Sequence, residues 1–230
     1  MEDKKTRIAV VTGGSNGIGN AIAEKFAGEA IFVVIADIIP PAKPLKNSVF
    51  QFCDVTSGNA VDTLYKWVNT NIGNPDILVL NAGKGIHELL TEGDPEKWRQ
   101  VIDLNITGVL RCIRAFVPLM LENKKGDVVF ISSVSSSKPY QYGAVYAATK
   151  AAMDCIAETL RLETAPHIRT TVVNAGITDT AFFSAANQEI KKDGQVLQAT
   201  DIAADVWYAV NKPAGTVVNT IVARPLGQIF

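Results

Sequence analysis

The chain has 230 residues, which suits a single domain with a full-size core. Its hydrophobic share of 47% is ordinary for a globular protein. Its 22 Lys and Arg residues nearly balance 23 Asp and Glu residues, and a formal net charge of −1 gives no electrostatic footprint for nucleic acid or an anionic membrane.

The N-terminal residues and the cysteines lead us to expect a cytoplasmic protein. The polar residues 1–5 lead directly into a predicted strand and do not resemble a secretory signal. No apolar run approaches the roughly 20 residues that a membrane span needs. Cys53, Cys112 and Cys155 are widely spaced and form no metal-ligand pattern, which favours reduced thiols and no structural metal.

The first predicted unit is a strand, a glycine-rich turn and a helix. The strand is the apolar run 7–11, and Gly13, Gly17 and Gly19 follow it ahead of a helical pattern. Glycines permit a tight turn and let a pyrophosphate approach the N–H groups at the helix N-terminus. This context predicts a dinucleotide-binding turn, whose expected contacts are Gly13, Ser15, Asn16, Gly17, Ile18 and Gly19.

The second predicted strand, 31–36, ends at Asp37. An acidic residue about 20 positions beyond the glycines can accept hydrogen bonds from the adenosine ribose hydroxyls and repel a 2′-phosphate. Asp37 stands at this place and favours NAD over NADP.

The segment 38–47 departs from the usual pattern because it contains three prolines. Proline opposes a helix interior, whereas a parallel crossover normally contains a helix. We predict that the second crossover helix is absent or a single turn, and that Val49–Phe52 is the third strand.

The rest of the chain alternates helical and strand patterns. Helices are predicted at 60–71, 95–121, 144–162 and 201–210, the second with Asp94 and the last with Thr200 as its N-cap. Strands are predicted at 76–80, 128–131, 168–173 and 216–222. This alternation predicts an α/β fold: a doubly wound, Rossmann-type, seven-stranded parallel sheet with helices on both faces. We expect one domain over 1–230.

Ser133, Tyr146 and Lys150 form the predicted catalytic set. Tyr146 and Lys150 are four residues apart in a helical segment, so they lie on one face. A neighbouring ammonium lowers the pKa of a phenol, which would let Tyr146 act as a general acid or base. Ser133 ends the strand thirteen residues earlier and could point at the same substrate oxygen.

This set resembles the signature of the short-chain dehydrogenase/reductase family, a Ser followed thirteen residues later by Tyr-x3-Lys. The turn 12–19 is similar to the family's Thr-Gly-x3-Gly-x-Gly motif, and the resemblance covers nearly the whole chain. It implies an NAD(P)-dependent oxidoreductase that transfers a hydride between the nicotinamide and a secondary alcohol or ketone. It also implies that Lys150 holds the nicotinamide ribose, and that Asn105 distorts its helix and anchors a proton path from Lys150 to solvent.

The resemblance implies further contacts at the adenine end of the cofactor. Asp54, beside Val55, would meet the adenine amino group, although a turn or N-cap residue is the alternative. Asn81, Ala82 and Gly83 match an Asn-Ala-Gly motif beside the adenine ribose.

At the nicotinamide end, Ala175 stands where relatives usually have Pro. We still expect contacts from the loop that follows, at Gly176, Ile177, Thr178 and Thr180.

Relatives that prefer NADP usually carry a basic residue where this chain has Asn16 or Ile38, so NAD is the expected cofactor and NADP the less favoured one.

Residues 181–198 are the predicted substrate lid. Phe182 and Phe183 could close over a small apolar substrate, and they could equally be plain packing. His87 could contact substrate or lie in a solvated loop, and Ser135 is a further candidate contact that could instead be a turn residue.

The substrate stays open among secondary alcohols or ketones, 3-oxoacyl thioesters and cyclic diols. The alternative from another class is a catalytically inactive NAD-binding sensor or scaffold, which would be expected to lack the Ser, Tyr or Lys. The resemblance also implies a homo-oligomer, a dimer or tetramer formed through two long helices, that acts on a small molecule.

Overall fold

Seven parallel strands form the central sheet of the computed structural model, which describes residues 6–182 and 196–228. They are β1 (Ile8–Thr12), β2 (Phe32–Asp37), β3 (Ser48–Phe52), β4 (Ile77–Leu80), β5 (Gly126–Ser133), β6 (Ile168–Ala175) and β9 (Thr220–Ala223). Two short strands, β7 (Thr178–Asp179) and β8 (Leu197–Gln198), pair separately. The sheet order is β3-β2-β1-β4-β5-β6-β9. Strands β2 and β3 are added on one side of β1 and the later strands on the other, so the strand order switches between β1 and β4. In such sheets ligands bind at this switch point, beyond the carboxyl ends of the strands.

Helices cover both faces of the sheet. They are α1 (Gly17–Gly28), α2 (Gly58–Asn71), α3 (Pro95–Ile102), α4 (Gly108–Glu122), α5 (Ala144–Thr164) and α6 (Ala199–Val210). Alternate strand residues point to opposite faces: Val10 packs in the core beneath α2, α4 and α5, while Val11 packs in the core beneath α1 and α6. The predicted doubly wound α/β fold is therefore confirmed.

The connection between β2 and β3 confirms the sequence prediction for the second crossover. Residues 38–47, all of which the structure describes, contain no helix. The three prolines account for this, since each removes a backbone donor and fixes φ. The last helix differs from its prediction: α6 begins at Ala199, and Gln198 at its N-cap donates its backbone N–H to Asp201. The assignment of Thr200 as N-cap is wrong.

Helices α3 and α4 and the π-helical turn between them form one continuous run, Pro95–Glu122. By length and composition alone this helical run could cross a membrane. The expectation that no apolar run approaches the length of a membrane span was therefore wrong by this measure of length and composition. The criterion is a weak one, because the core helices of soluble proteins also meet it. Here Val109, Cys112, Phe116 and Met120 are buried in the core beneath the sheet.

A charged cluster joins the amino ends of the strands, at the edge of the sheet opposite Ser133. The buried carboxylate of Asp127 accepts from Arg169 Nε at 2.7 Å and Nη2 at 2.8 Å, and from Arg7 Nη2 at 3.0 Å. Both arginines also donate to the Val210 carbonyl, so the cluster ties β1, β5 and β6 to α6.

Asp127→Ala should lower the free energy of unfolding by about 3 kcal/mol, because two arginines would lose the carboxylate that compensates their partial burial. Urea unfolding followed by circular dichroism measures this. Asp62→Ala is the matched control: Asp62 pairs with Arg114 at 2.6 Å on the surface, and such pairs contribute less than about 1 kcal/mol. Equal losses in the two variants would contradict the prediction.

Candidate active site

The glycine turn between β1 and α1 has the geometry that its residues predict. Gly13 and Gly17 have φ of +63° and +53°, which glycine adopts without strain. A Cβ on Gly19 would fall on the Gly13 carbonyl oxygen. Asn81 holds the turn in place, since its Nδ2 donates to the carbonyls of Thr12 at 3.0 Å and Gly13 at 2.9 Å. This backbone leaves no room for a larger residue at position 19.

The carboxylate of Asp37 is tied to the glycine turn. It accepts from the backbone N–H of Ser15 at 3.0 Å and of Ile38 at 2.7 Å. The Ser15 hydroxyl donates to the Ile39 carbonyl at 2.6 Å, which joins the turn to the start of the connection 38–47 between β2 and β3. Asn16 is exposed and Ile18 half-buried at the start of α1. The structure thus brings the negative charge of Asp37 to the mouth of the turn.

Asp54 forms a local turn after β3. One carboxylate oxygen accepts from the Thr56 backbone at 2.9 Å and from the Thr56 hydroxyl at 2.7 Å. Val55 beside it is buried, and its carbonyl accepts from Arg111 at 3.3 Å. The turn alternative therefore describes the visible contacts of Asp54, and its contact with adenine stays a prediction.

Asn105 lies fully buried in the π-helical turn Asp103–Thr107. Its Oδ1 accepts from the Lys84 backbone at 2.9 Å, and its Nδ2 donates to the Lys84 carbonyl at 3.0 Å and to the Thr149 hydroxyl at 3.0 Å. Its amide thereby joins the loop after β4 to α5. The expected distortion of the helix is present as this π-helical turn, and the Asn105 amide holds the neighbouring elements together.

Ser133, Tyr146 and Lys150 converge at the carboxyl end of β5, and all three are buried. A hydrogen bond joins the side chains of Ser133 and Tyr146. The Ser133 hydroxyl also lies 3.1 Å from the Ser135 hydroxyl, within hydrogen-bond distance. The Lys150 ammonium donates to the Ile131 carbonyl at 2.7 Å and lies 5.8 Å from the centre of the Tyr146 ring.

Burial dominates the pKa values of this set. It raises the pKa of Tyr146, and the hydrogen bond from Ser133 only partly opposes it. It also lowers the pKa of Lys150 to about 8, against the opposing charge of Asp154. The prediction that the neighbouring ammonium makes this phenol more acidic is therefore wrong for the protein alone. The physical reason is the loss of water around the buried phenol, while the Lys150 ammonium is directed at the Ile131 carbonyl.

Two pairs of aromatic rings involve residues predicted for the site. The Phe182 ring lies 5.8 Å from the Tyr146 ring. His87 Nε2 and the Tyr140 hydroxyl are 2.6 Å apart, and their rings pack edge to face. Burial lowers the pKa of His87 and raises the pKa of Tyr140 to about 12. Phe183 and most of the predicted lid, 183–195, lie outside the described residues.

Tyr140 was missed in the sequence. Its signal would have been an aromatic residue in the loop between Ser133 and Tyr146, which is too common to single out.

The loop after β6 meets the glycine turn. A Cβ on Gly17 would contact the Thr180 methyl at 3.3 Å, and the Thr178 hydroxyl donates to the Gly176 carbonyl at 2.9 Å. The Ile177 N–H donates to the Gln228 side chain at 3.1 Å. Sequence reasoning missed Gln228 as the anchor of this loop, because nothing in the local pattern links residues so far apart in the chain.

The cysteines take no visible part in this site. Cys53 and Cys112 are buried, and burial raises their pKa values to about 11 and about 12, while Cys155 is exposed. Within 6–182 and 196–228, no group of three or more His, Cys, Asp or Glu residues could hold a metal ion.

Comparison with known proteins decides the family. A family model described as short chain dehydrogenase matches residues 7–191. The chain belongs to the short-chain dehydrogenase family. An uncharacterized oxidoreductase of Staphylococcus epidermidis is 32% identical over 239 residues, covering 98% of this chain and 100% of the relative. This short-chain dehydrogenase is thus an oxidoreductase with a nucleotide-binding fold, and the family implies a nicotinamide cofactor.

Solved structures of short-chain dehydrogenases agree with this fold. Serine dehydrogenase from Escherichia coli superposes with a TM-score of 0.87 at 27% identity, covering 97% of this chain and 100% of that one. The closed form of a serine dehydrogenase complexed with NADP+ gives a TM-score of 0.86, also at 27% identity, covering 97% and 96%. That structure contains NADP+, so the comparison does not confirm the expectation that this chain uses NAD.

Proposed function

We propose that the chain transfers a hydride between nicotinamide C4 and the carbon of a secondary alcohol or ketone, with Tyr146 as the general acid and base. The observation that carries this proposal is the hydrogen bond between Ser133 and Tyr146 beside the Lys150 ammonium. All three lie at the carboxyl end of β5, at the same edge of the sheet as the glycine turn after β1.

The chain's own residues move the proton and stabilise the charge. With its raised pKa, Tyr146 keeps its proton at neutral pH and is ready to donate it to a carbonyl oxygen. Ser133 donates a hydrogen bond to the same oxygen as negative charge develops there. For oxidation, the Lys150 ammonium stabilises the phenolate that takes the proton from an alcohol. Asn105 holds the elements around Lys150 in register and completes the proton path.

The residues fit a dinucleotide. A turn with two glycines at positive φ, which a Cβ would fill, leads into the N-terminus of α1, where free N–H groups suit a pyrophosphate. The bound cofactor supplies the hydride chemistry, and the protein supplies its orientation. The residues proposed to hold it are Gly13, Ser15, Asn16, Gly17, Ile18, Gly19, Asp37, Asp54, Val55, Asn81, Ala82, Gly83, Tyr146, Lys150, Gly176, Ile177, Thr178 and Thr180.

NAD is the proposed cofactor, because a negative charge stands where NADP would bring its 2′-phosphate. The Ser15 N–H fixes the Asp37 carboxylate at the mouth of the turn, and like charges repel there. Neither Asn16 nor Ile38 supplies a compensating cation.

The substrate contacts proposed are Phe182, Phe183, His87 and Ser135. Phe182 packs against Tyr146 and the His87–Tyr140 pair offers polar groups, so we propose a small substrate with one apolar and one polar end. A cyclic diol or a 3-oxoacyl thioester is the alternative substrate. We further propose a homo-oligomer formed through α4 and α5, on which Leu110 and Leu162 are exposed. We also propose a cytoplasmic location, which the three widely spaced cysteines favour.

Turnover of a panel of secondary alcohols and ketones, with NAD(H) and NADP(H) in parallel, tests this function. We expect absorbance changes at 340 nm with at least one substrate, and faster turnover with NAD(H). Faster turnover with NADP(H) would show that the interpretation of Asp37 is wrong. NADH binding without turnover of any substrate would favour the inactive sensor.

A further inference from the structure

The Lys150 ammonium is buried between α5 and β5. Its Nζ atom donates to the Ile131 carbonyl at 2.7 Å and lies 3.5 Å from the sulfur of Met153, one turn further along α5.

Asp154 stands four residues after Lys150, on the same side of α5. Its Oδ1 atom is buried and has no hydrogen-bond partner among the residues that the structure describes. It lines a cavity of about 130 Å³ between α5, β6 and β9, whose other polar walls include Thr170, Asn174 and Asn219. The buried Thr170 hydroxyl also lacks a partner within the described ranges. Polar walls of this kind lower the cost of keeping a carboxylate charged inside a protein.

The other groups in contact with Lys150 carry no negative charge. Its ammonium meets the Ile131 carbonyl, the Met153 sulfur and the Tyr146 ring, and its backbone carbonyl accepts from the Ser132 hydroxyl. Charged residues on neighbouring turns are paired elsewhere: Glu96 with Arg99, Asp103 with Arg111, and Glu158 with Arg161.

We propose that Asp154 is a positioning residue that keeps Lys150 protonated through its negative charge and so preserves the cation that the reaction uses. The inference rests on the proposed function, in which the Lys150 ammonium holds the nicotinamide ribose and stabilises the Tyr146 phenolate. Burial lowers the pKa of Lys150 to about 8 and Asp154 raises it, so the two effects oppose each other near physiological pH.

The pH dependence of Asp154→Asn tests the inference. In the wild type, Lys150 is charged below pH 8 and loses its proton as the pH rises through about 8. In Asp154→Asn the carboxylate is absent and the pKa of Lys150 falls further, so Lys150 begins to lose its proton at a lower pH. A tenfold weaker hold on the proton reduces the charged fraction at pH 8 about fivefold. We measure the Kd of NADH by fluorescence from pH 6 to 9. As the pH is raised, the Kd of the variant should begin to increase at a lower pH than the Kd of the wild type. The alkaline limb of kcat with the best alcohol of the panel should shift in the same direction, while the two proteins agree at pH 6.

Two further variants separate charge from structure. Asp154→Glu should restore most of the wild-type profile, because it returns the negative charge. Glu158→Gln is the matched control: it lines the same cavity one turn further along but is exposed and paired with Arg161, so its profile should be unchanged. Thermal unfolding establishes that each variant is folded.

Three outcomes would overturn the inference. One is a wild-type pH profile for Asp154→Asn, another is a loss that is uniform across all pH values, and the third is an equal shift in Glu158→Gln. Retained turnover in Tyr146→Phe would instead overturn the proposed function. An inactive Tyr146→Phe together with an unshifted Asp154→Asn would overturn the role of Asp154 alone.

Discussion

Replacement of Tyr146 by Phe is expected to lower kcat by about 10²- to 10⁴-fold, the contribution of a positioned acid or base. The Kd for NADH should change little. The substitution removes one hydroxyl, which carries the hydrogen bond to Ser133, and keeps the ring that packs against Phe182. The buried aromatic surface is therefore preserved, and the loss should fall on the chemical step. Steady-state turnover and NADH fluorescence on the same preparation measure the two quantities.

Tyr142→Phe is the matched control for this prediction. Tyr142 lies four residues before Tyr146, but its side chain is 48% exposed. Its contact with Glu88 is made through its own backbone carbonyl, which the substitution leaves in place. We expect wild-type turnover from this variant. Near-normal turnover in Tyr146→Phe would remove the phenol from the mechanism and with it the proposed function.

Replacement of Gly19 by Ala should have the second large effect, a loss of dinucleotide binding. A Cβ at this position would fall on the Gly13 carbonyl oxygen and close to the Asn81 amide, which itself holds the turn. Backbone atoms can yield only if the turn opens, so the N–H groups that face the pyrophosphate would move. We expect the Kd for NADH to rise more than tenfold and the free energy of unfolding to fall by about 1–3 kcal/mol, as for other overpacked sites.

Gly28→Ala provides a control in the same helix. Gly28 ends α1, and a Cβ there would meet no atom within 4 Å. The added methyl group should leave NADH binding unchanged, and it should stabilise the helix slightly, since alanine has the higher helix propensity. If Gly19→Ala binds NADH as tightly as Gly28→Ala does, the close contact between Gly19 and the Gly13 carbonyl is not needed for cofactor binding.

The sequence predicted the features that depend on local chemistry. The prolines of 38–47 forecast the missing crossover helix, and the glycine spacing located the turn after β1. The interval between Ser133 and Tyr146 brought together two side chains that the structure joins by a hydrogen bond. The first two follow from backbone preferences, which short patterns carry, and the third follows from the resemblance to the family signature.

What the sequence could not show depends on the environment of each side chain. Spacing placed Lys150 beside Tyr146 but gave no account of burial, which reverses the expected direction of the Tyr146 pKa. The Asn105 amide binds Lys84 and Thr149, and Gln228 reaches the loop after β6, because the fold brings distant segments together. Such contacts leave no mark in a local pattern.

The connection between β2 and β3, which contains no helix, lies outside the hydrophobic core and directly follows Asp37, the residue proposed to select NAD. Ile38 and Ile39 are 58% and 48% exposed where many sheets of this kind carry a packed helix. Changes there would meet solvent and not the hydrophobic interior, so they should cost little stability. Evolution or design could thus exchange one dinucleotide for the other by altering surface charge alone, without repacking the domain.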